Sequence, residues 1–264
     1  MTSTKVQCRN PLNGFSKKIL VSMVMVANVW AISNFELAQK SDAVMRGYED
    51  AKSEMVMTLI NANGQERQRT MKSMILEKDG GDKSLMEFLT PADVKGTKFL
   101  SYEHADKDDD QWLYLPALKR VKRIASKNKS GSFMGSEFSY EDLTAFNIDK
   151  YNYSGDAKEV RVDGKKMYKG ERIPKSKNSG YTKQVSWTTI DTFLTMKVDY
   201  YDRKKELLKT AIFSGYKKID GVWRVSKIEM INHQNDKKTV LLWKNETIKN
   251  GLKDRDFNKR VLKR

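Results

Sequence analysis

The sequence contains very little cysteine, histidine and proline: among 264 residues there are one cysteine, two histidines and four prolines. One cysteine excludes an intramolecular disulfide and a cysteine-based zinc cluster. The two histidines, His104 and His233, argue against a multi-histidine metal site. The sequence also lacks a phosphate-binding glycine loop, a nucleophile elbow and a zinc-protease helix motif. It therefore predicts a protein that is not an enzyme and that needs no metal or cofactor.

Acidic residues are in the minority, with 34 Asp and Glu against 50 Lys and Arg, and the formal charge is +16. Charged residues make up 32% of the chain, which excludes a protein that crosses a membrane many times. The apolar content of 39% and the aromatic content of 10% exclude a disordered chain.

The first thirty residues have the pattern of a secretory signal. Lys5, Arg9, Lys17 and Lys18 form a basic start without acids, and residues 19–32 are almost entirely apolar. Small residues around Ala31 suit a signal peptidase. The pattern predicts a signal peptide over residues 1–31, cleavage near Ala31, and a periplasmic domain over residues 32–264. An uncleaved anchor is the alternative, although the apolar run is shorter than the roughly 20 residues of a membrane-spanning helix.

The remaining chain has one helical pattern followed by many strand patterns. An amphipathic stretch begins near Asn34, and from about Lys52 the apolar residues alternate with period two. Turn dipeptides such as Asn63-Gly64 separate the strands. Ten or more strands with short turns predict a mainly β fold, in which one antiparallel sheet rolls up or closes.

Two predicted strands, 112–115 and 240–243, are apolar at consecutive positions, so neither of their faces is polar. Either both faces are packed by other layers, or one face lines an apolar cavity. Residues 125–146 form a long segment in which two glycines flank a Phe-Met pair and a second aromatic pair follows. It is predicted to be either a hinged lid over an apolar opening or a plug that fills one end of a barrel.

Several segments, in this order, resemble the outer-membrane lipoprotein-sorting protein family with a LolA-like fold. The most specific are the Trp-Leu-Tyr-Leu-Pro stretch within 112–124 and the segment 131–143; further matches are 88–97, 221–223, 228–230 and 257–262. The resemblance implies an incomplete antiparallel β-barrel with an N-terminal helix, and a helical or loop lid over an apolar cavity.

The resemblance also implies a soluble periplasmic carrier or binder of acyl chains, from a lipid or a lipoprotein. Many members of this branch resemble partners of inner-membrane exporters, so peripheral contact with membrane proteins is expected and nucleic-acid binding is not. The alternatives are a regulatory envelope sensor that binds a membrane-protein partner and, more remotely, a hydrolase that uses carboxylates. The residues expected to line the cavity are Leu59, Phe88, Phe99, Leu113, Leu115, Trp187, Leu241 and Trp243. The residues expected in the lid are Gly131, Phe133, Met134, Gly135, Phe138 and Tyr140.

A basic run follows the Trp-Leu-Tyr-Leu-Pro stretch and contains Lys119, Arg120, Lys122 and Arg123. It predicts a surface for an anionic lipid head group or for the acidic face of a partner. The alternative is that these cations pair with the acid-rich turn at residues 103–110.

Overall fold

The computed structural model describes residues 1–4 and 31–263. The predicted signal peptide lies almost entirely outside the described residues, and its cleavage stays a prediction. The chain divides into two units, Met1–Trp30 and Ala31–Arg264, and the fold below is that of the second. In the part of the chain that the structure describes, no helix is both long enough and apolar enough to span a membrane.

One α-helix is followed by sixteen strands. The helix is α1 (Asn34–Ala43). The strands are β1 (Asp50–Ile60), β2 (Glu66–Leu76), β3 (Lys83–Thr90), β4 (Lys98–Tyr102), β5 (Asp110–Leu115), β6 (Arg120–Ile124), β7 (Tyr151–Asn152), β8 (Lys158–Val162), β9 (Lys165–Pro174), β10 (Lys183–Thr189), β11 (Thr195–Tyr201), β12 (Leu207–Ser214), β13 (Lys217–Ile219), β14 (Val222–Arg224), β15 (Lys227–Asn232) and β16 (Lys238–Ile248). Short 3₁₀ helices lie at Pro116–Leu118, Ser126–Asn128, Tyr140–Leu143, Ile148–Lys150, Asp254–Phe257 and Lys259–Lys263.

Fourteen strands form a single antiparallel sheet. Its order is β6-β5-β4-β3-β2-β1-β16-β15-β12-β11-β10-β9-β7, with β8 also paired to β9, and β13 and β14 form a separate hairpin. The two ends of the large sheet do not pair with each other, so the barrel is incomplete. The prediction of a mainly β, incomplete antiparallel barrel with an N-terminal helix is confirmed.

The predicted Asn63-Gly64 turn joins β1 to β2. Gly64 has φ +79°, in the left-handed region that glycine adopts without strain. The side-chain oxygen of Asn61 accepts hydrogen bonds from the backbone N–H groups of Asn63 (3.0 Å) and Gln65 (2.9 Å). This local network sets the register of the hairpin, in which Ile60 pairs with Glu66.

The inner face of the sheet carries the main core. Strand register places Met55 opposite Trp243, Met57 opposite Leu241 and Phe99 opposite Leu113. Because side chains alternate along a strand, these pairs share one face, and they belong to one apolar cluster.

The outer face of β3 to β5 is covered as well. Leu85, Leu100 and Trp112 pack there against Phe257 and Leu262 from the two C-terminal 3₁₀ helices. This second layer explains why residues 112–115 are continuously apolar: Trp112 and Leu113 are buried on opposite faces.

Candidate functional site

A cavity of about 270 Å³ lies between helix α1 and the inner face of strands β9 to β12. Its walls are mainly apolar and aromatic, with charged residues among them. The apolar wall residues are Leu37, Ala38, Met45, Ile75, Ala145, Phe146, Val198, Phe213 and Val225, together with Tyr48, Tyr153 and Tyr216. Residues distant in sequence therefore form one concave surface, which is typical of a ligand site.

Helix α1 is held over this surface by its first residues. Ser33 is the N-cap, and its hydroxyl oxygen accepts a hydrogen bond from the backbone N–H of Glu36 at 3.1 Å. The buried Asn34 donates to the carbonyl of Ser154 (2.8 Å) and accepts from the backbone N–H of Glu171 (2.9 Å). These bonds tie the helix to the β9 side of the sheet.

Gly170, in the middle of β9, lets the helix approach closely. A Cβ at this position would lie 2.9 Å from Leu37 Cδ2 and 3.0 Å from Asn34 Oδ1. The contribution of Gly170 to the seating of α1 was not predicted from the sequence. A glycine inside a strand pattern is itself a signal of close approach by another part of the chain.

Two arginines in the cavity wall are neutralised by carboxylates of the chain. Arg46 Nη1 lies 3.0 Å from Asp82 Oδ1, and Arg46 Nε lies 3.4 Å from Asp42 Oδ2. Arg224 Nη2 lies 2.8 Å from Glu246 Oε1. Burial raises the pKa of Asp42, and Arg46 opposes this shift.

The third arginine of the wall, Arg172 on β9, has a different environment. Its Nε donates to Gln184 Oε1 at 2.7 Å, and its guanidinium carbon lies 4.4 Å from the ring centroid of Phe146 and 4.9 Å from that of Tyr151. Among residues 1–4 and 31–263, no carboxylate lies within ion-pair distance of Arg172.

The eight residues predicted to line a cavity lie elsewhere. Phe88, Phe99, Leu113 and Leu241 are buried in the main core, and Leu59, Leu115 and Trp243 pack against it. None of the eight belongs to the wall of the cavity under α1. The continuously apolar strands had suggested a hollow. Their side chains instead pack within the core and, on the outer face, against the C-terminal segment.

Trp187 lies on the other face of β10 from the cavity. Its neighbours Ser186 and Thr188 line the cavity, and alternation along the strand turns Trp187 away from it. The ammonium groups of Lys169 and Lys197 lie 5.3 and 4.2 Å from the indole centroid. Trp187 therefore faces away from the cavity under α1.

The predicted lid is packed as part of the core. Phe133 has no exposed surface and Phe138 is 3% exposed, while Met134 and Tyr140 pack against the same cluster. The Phe133 ring centroid lies 5.1 Å from Phe99 and 5.9 Å from Phe88. This arrangement favours a plug over a hinged lid, and release of the segment stays a prediction.

The tip of this segment is a tight turn. The backbone N–H of Ser136 donates to the carbonyl of Phe133 at 2.9 Å. Between them, Met134 has φ +50° and Gly135 has φ +75°, as in a type I′ turn. Gly131, the other predicted hinge, is not in the left-handed region, so only Gly135 needs glycine for its backbone angle.

Polar contacts also fasten the segment to the barrel. Asp142 Oδ2 lies 2.6 Å from Lys209 Nζ, and both side chains are 4% exposed. Tyr181 Oη donates to Asp142 Oδ1 at 2.8 Å, and Arg69 Nη1 donates to the carbonyl of Met134 at 2.6 Å. Burial, together with the charge of Asp142, raises the pKa of Glu141.

All four cations of the basic run are exposed, and one of them pairs with an acid. Arg123 Nη2 lies 2.6 Å from Asp110 Oδ1, so part of the run pairs with the acid-rich turn. Lys119, Arg120 and Lys122 are exposed, and none forms an ion pair with a described residue. Since β6 ends the sheet, these charges also discourage pairing with another strand. A role in partner binding stays a prediction.

No group of three or more His, Cys, Asp or Glu residues that could hold a metal occurs within residues 1–4 and 31–263. The structure thus presents an apolar cavity with three arginines in its wall, two of them paired internally. Such a surface can bind and orient an amphipathic molecule.

Comparison with known proteins identifies relatives over most of the chain. A family model described as an uncharacterized protein matches residues 80–264. The search of curated proteins found no match.

Three solved structures are similar to the chain. A domain described as outer membrane lipoprotein-sorting protein, from Vibrio parahaemolyticus, is 48% identical, with 87% of this chain and 98% of that chain covered and a TM-score of 0.84. A DUF1329 family protein from Desulfovibrio piger is 36% identical, with coverages of 87% and 97% and a TM-score of 0.80. A LolA superfamily protein from Nitrosomonas europaea is 19% identical, with coverages of 88% and 100% and a TM-score of 0.70, and it supports the fold alone.

An incomplete antiparallel barrel with one helix against its inner face defines the class as LolA-like. The chain belongs to the outer-membrane lipoprotein-sorting family with this fold, as its motifs predicted.

Proposed function

We propose that this protein is a periplasmic binder or carrier of acyl chains, and that one acyl chain occupies the cavity under helix α1. The observation that carries the proposal is the cavity itself, which is walled mainly by apolar and aromatic side chains in a lipoprotein-sorting fold. The acyl chain would belong to a lipid or a lipoprotein. Signal-peptide cleavage near Ala31 and service to an inner-membrane exporter are parts of the same proposal.

The size of the cavity favours a small occupant. Its volume of about 270 Å³ lies just below the range of about 300–1,000 Å³ of common small-molecule sites. A single chain suits this space better than a lipid with several chains. Each methylene removed from water contributes about 0.8 kcal/mol, so even a chain of moderate length has a sufficient driving force to bind.

The position of the cavity suggests how the chain could enter. One wall is a single ten-residue helix, and the opposite wall belongs to the large sheet. Movement of α1 away from Gly170 would open the cavity without unpairing any strand of the sheet. In this proposal the segment 131–140 acts as a plug at another part of the inner face.

The test is a binding titration with an uncharged, environment-sensitive dye and the secreted form, residues 32–264. Wild-type protein should bind the dye saturably at micromolar concentrations. Ala38→Phe fills the cavity from the helix and should weaken binding at least about tenfold. The matched control is Ala43→Phe on the exposed side of the same helix, which should bind as the wild type does.

Overpacking costs typically 1–3 kcal/mol, so each variant must show native circular dichroism before it is scored. If Ala38→Phe does not fold, Ser186→Leu fills the same cavity from the sheet side. Equal dye binding by wild type and a folded cavity-filling variant would refute the proposal.

A further inference from the structure

Three arginines line the cavity under α1, and within residues 1–4 and 31–263 only two of them have carboxylate ion-pair partners. Arg46 pairs with Asp82 and Asp42, and Arg224 pairs with Glu246, whose side chain is 3% exposed. Arg172 has only an amide and two aromatic rings as close partners. Its guanidinium is always charged, so the cavity wall holds one cation that has no ion-pair partner among the described residues.

The acid nearest to Arg172 in sequence is not its ion-pair partner. Glu171 precedes it on β9, and its side chain is exposed, with Oε2 3.5 Å from Lys183 Nζ. Glu171 also belongs to the cavity wall, but its carboxylate forms no ion pair with Arg172.

The surroundings of Arg172 fix the plane of the guanidinium. Phe146 and Tyr151 are stacked with each other, with ring centroids 5.7 Å apart and planes 28° apart, and the guanidinium lies over both rings. Gln184 accepts the hydrogen bond from Nε, so the terminal amino groups of Arg172 remain available to another acceptor. A planar, held guanidinium is well suited to bidentate contact with a carboxylate or a phosphate.

A second donor without a partner lies in the same wall. The hydroxyl of Tyr153 is buried, and it makes no hydrogen bond with a described residue. Tyr151 pairs with Pro174 and Asn152 with Ile173, so the same register brings Tyr153 beside Arg172. A buried hydroxyl without a partner is unfavourable because it has lost its hydrogen bonds to water. A guanidinium with free terminal N–H groups and a buried hydroxyl without a partner thus lie in the wall of one cavity.

We propose that Arg172 and Tyr153 form a subsite that binds the anionic oxygen group of an acyl-chain ligand, either a carboxylate or a phosphate. The proposal rests on the proposed function, since the acyl chain occupies the adjoining apolar space. It adds that the ligand is anionic, and it names the residues that orient its head group.

The experiment displaces the uncharged dye with three competitors that share a twelve-carbon chain: laurate, dodecyl phosphate and dodecanol. Charge-assisted hydrogen bonds contribute about 1.5–3 kcal/mol, which corresponds to about 10- to 100-fold in affinity. At least one anionic competitor should therefore displace the dye from wild type at a concentration roughly tenfold or more below that of dodecanol. The stronger of the two anions distinguishes a fatty-acid carboxylate from a lipid phosphate.

Arg172→Gln should reduce the advantage of the anions over dodecanol to less than about threefold. The control is Arg161→Gln on β8, where an exposed arginine outside the cavity wall is changed in the same way, and it should retain the wild-type preference. Tyr153→Phe removes a hydroxyl that has no protein partner. It should weaken anion binding without lowering the melting temperature, a combination that a purely structural tyrosine would not produce.

Equal displacement by anions and dodecanol in wild type, or an undiminished anion preference in Arg172→Gln, would overturn the subsite while the acyl-binding function stands. Failure of wild type to bind the dye or dodecanol would overturn the proposed function as well.

Discussion

Replacing Phe133 by alanine separates the two interpretations of the segment 131–140. Phe133 is completely buried, and its ring lies within 6 Å, centroid to centroid, of Phe99, Phe88 and Tyr140. Truncation of a buried phenylalanine costs about 3–5 kcal/mol through lost burial and the cavity left behind. Because three aromatic contacts are lost together, we expect a loss near the upper end of that range.

The matched control is Phe35→Ala on helix α1. Phe35 is 46% exposed, and its ring makes one edge contact with Tyr153 at 5.6 Å. Its truncation should cost about 1 kcal/mol or less. The assay is urea unfolding of residues 32–264, followed by circular dichroism and tryptophan fluorescence.

The plug interpretation requires Phe133→Ala to lose several times more free energy of unfolding than Phe35→Ala. A hinged lid must leave its seat at little cost, so its apolar anchors would contribute little to global stability. If Phe133→Ala lowers the free energy of unfolding as little as Phe35→Ala does, the plug interpretation is refuted and the segment is a weakly held lid.

Three further changes test other parts of the structure. Gly170→Val should push α1 off the sheet through its clash with Leu37. Dye binding should therefore be lost, while the far-ultraviolet circular dichroism spectrum keeps its β signature. Unchanged dye affinity would contradict the close approach of α1 to β9. Asp142→Ala leaves Lys209 buried without its carboxylate and should lower the free energy of unfolding in urea melts by about 3–5 kcal/mol. Adding Lys209→Met should recover much of this loss. A loss below about 1 kcal/mol would show that the pair is not buried in solution. Burial raises the pKa of Glu103 to about 7, so the folded protein binds a proton more tightly than the unfolded chain, and this group's contribution to stability falls as pH rises from about 4.5 to 7. Glu103→Gln should therefore gain stability relative to wild type between pH 5 and pH 8, and a relative loss at pH 8 in urea melts would contradict the sign.

Much of the fold could be predicted because its causes are local. Period-two alternation identified the strands, and Asn63-Gly64 identified the first hairpin through a backbone angle that glycine adopts. The continuous apolar stretch 112–115 was harder to interpret, since one side of it is covered by Phe257 and Leu262 from the far end of the chain. A strand pattern alone cannot distinguish a second packed layer from an empty space.

The site was less predictable because its parts are distant in sequence. The cavity depends on the position of α1 against β9, and that position depends on the missing side chain of Gly170. Arg172 is one of 50 cations in the sequence, and only the structure distinguishes it, as an arginine of the cavity wall without an ion-pair partner among the described residues. Phe133 was predicted to belong to a lid and Leu113 to a cavity wall, and both lie in the packed core.

The central claim is that an acyl chain binds under helix α1, and photo-crosslinking tests it most directly. Purified protein of residues 32–264 is loaded with a fatty acid that carries a photoreactive group in its chain, irradiated and digested, and the labelled peptides are identified by mass spectrometry. We expect labelling of peptides from α1 (Asn34–Ala43) and from β9 to β11. This labelling should be lost in Ala38→Phe and retained in Ala43→Phe. Labelling concentrated around Leu113 or Trp243, or labelling unaffected by Ala38→Phe, would contradict it.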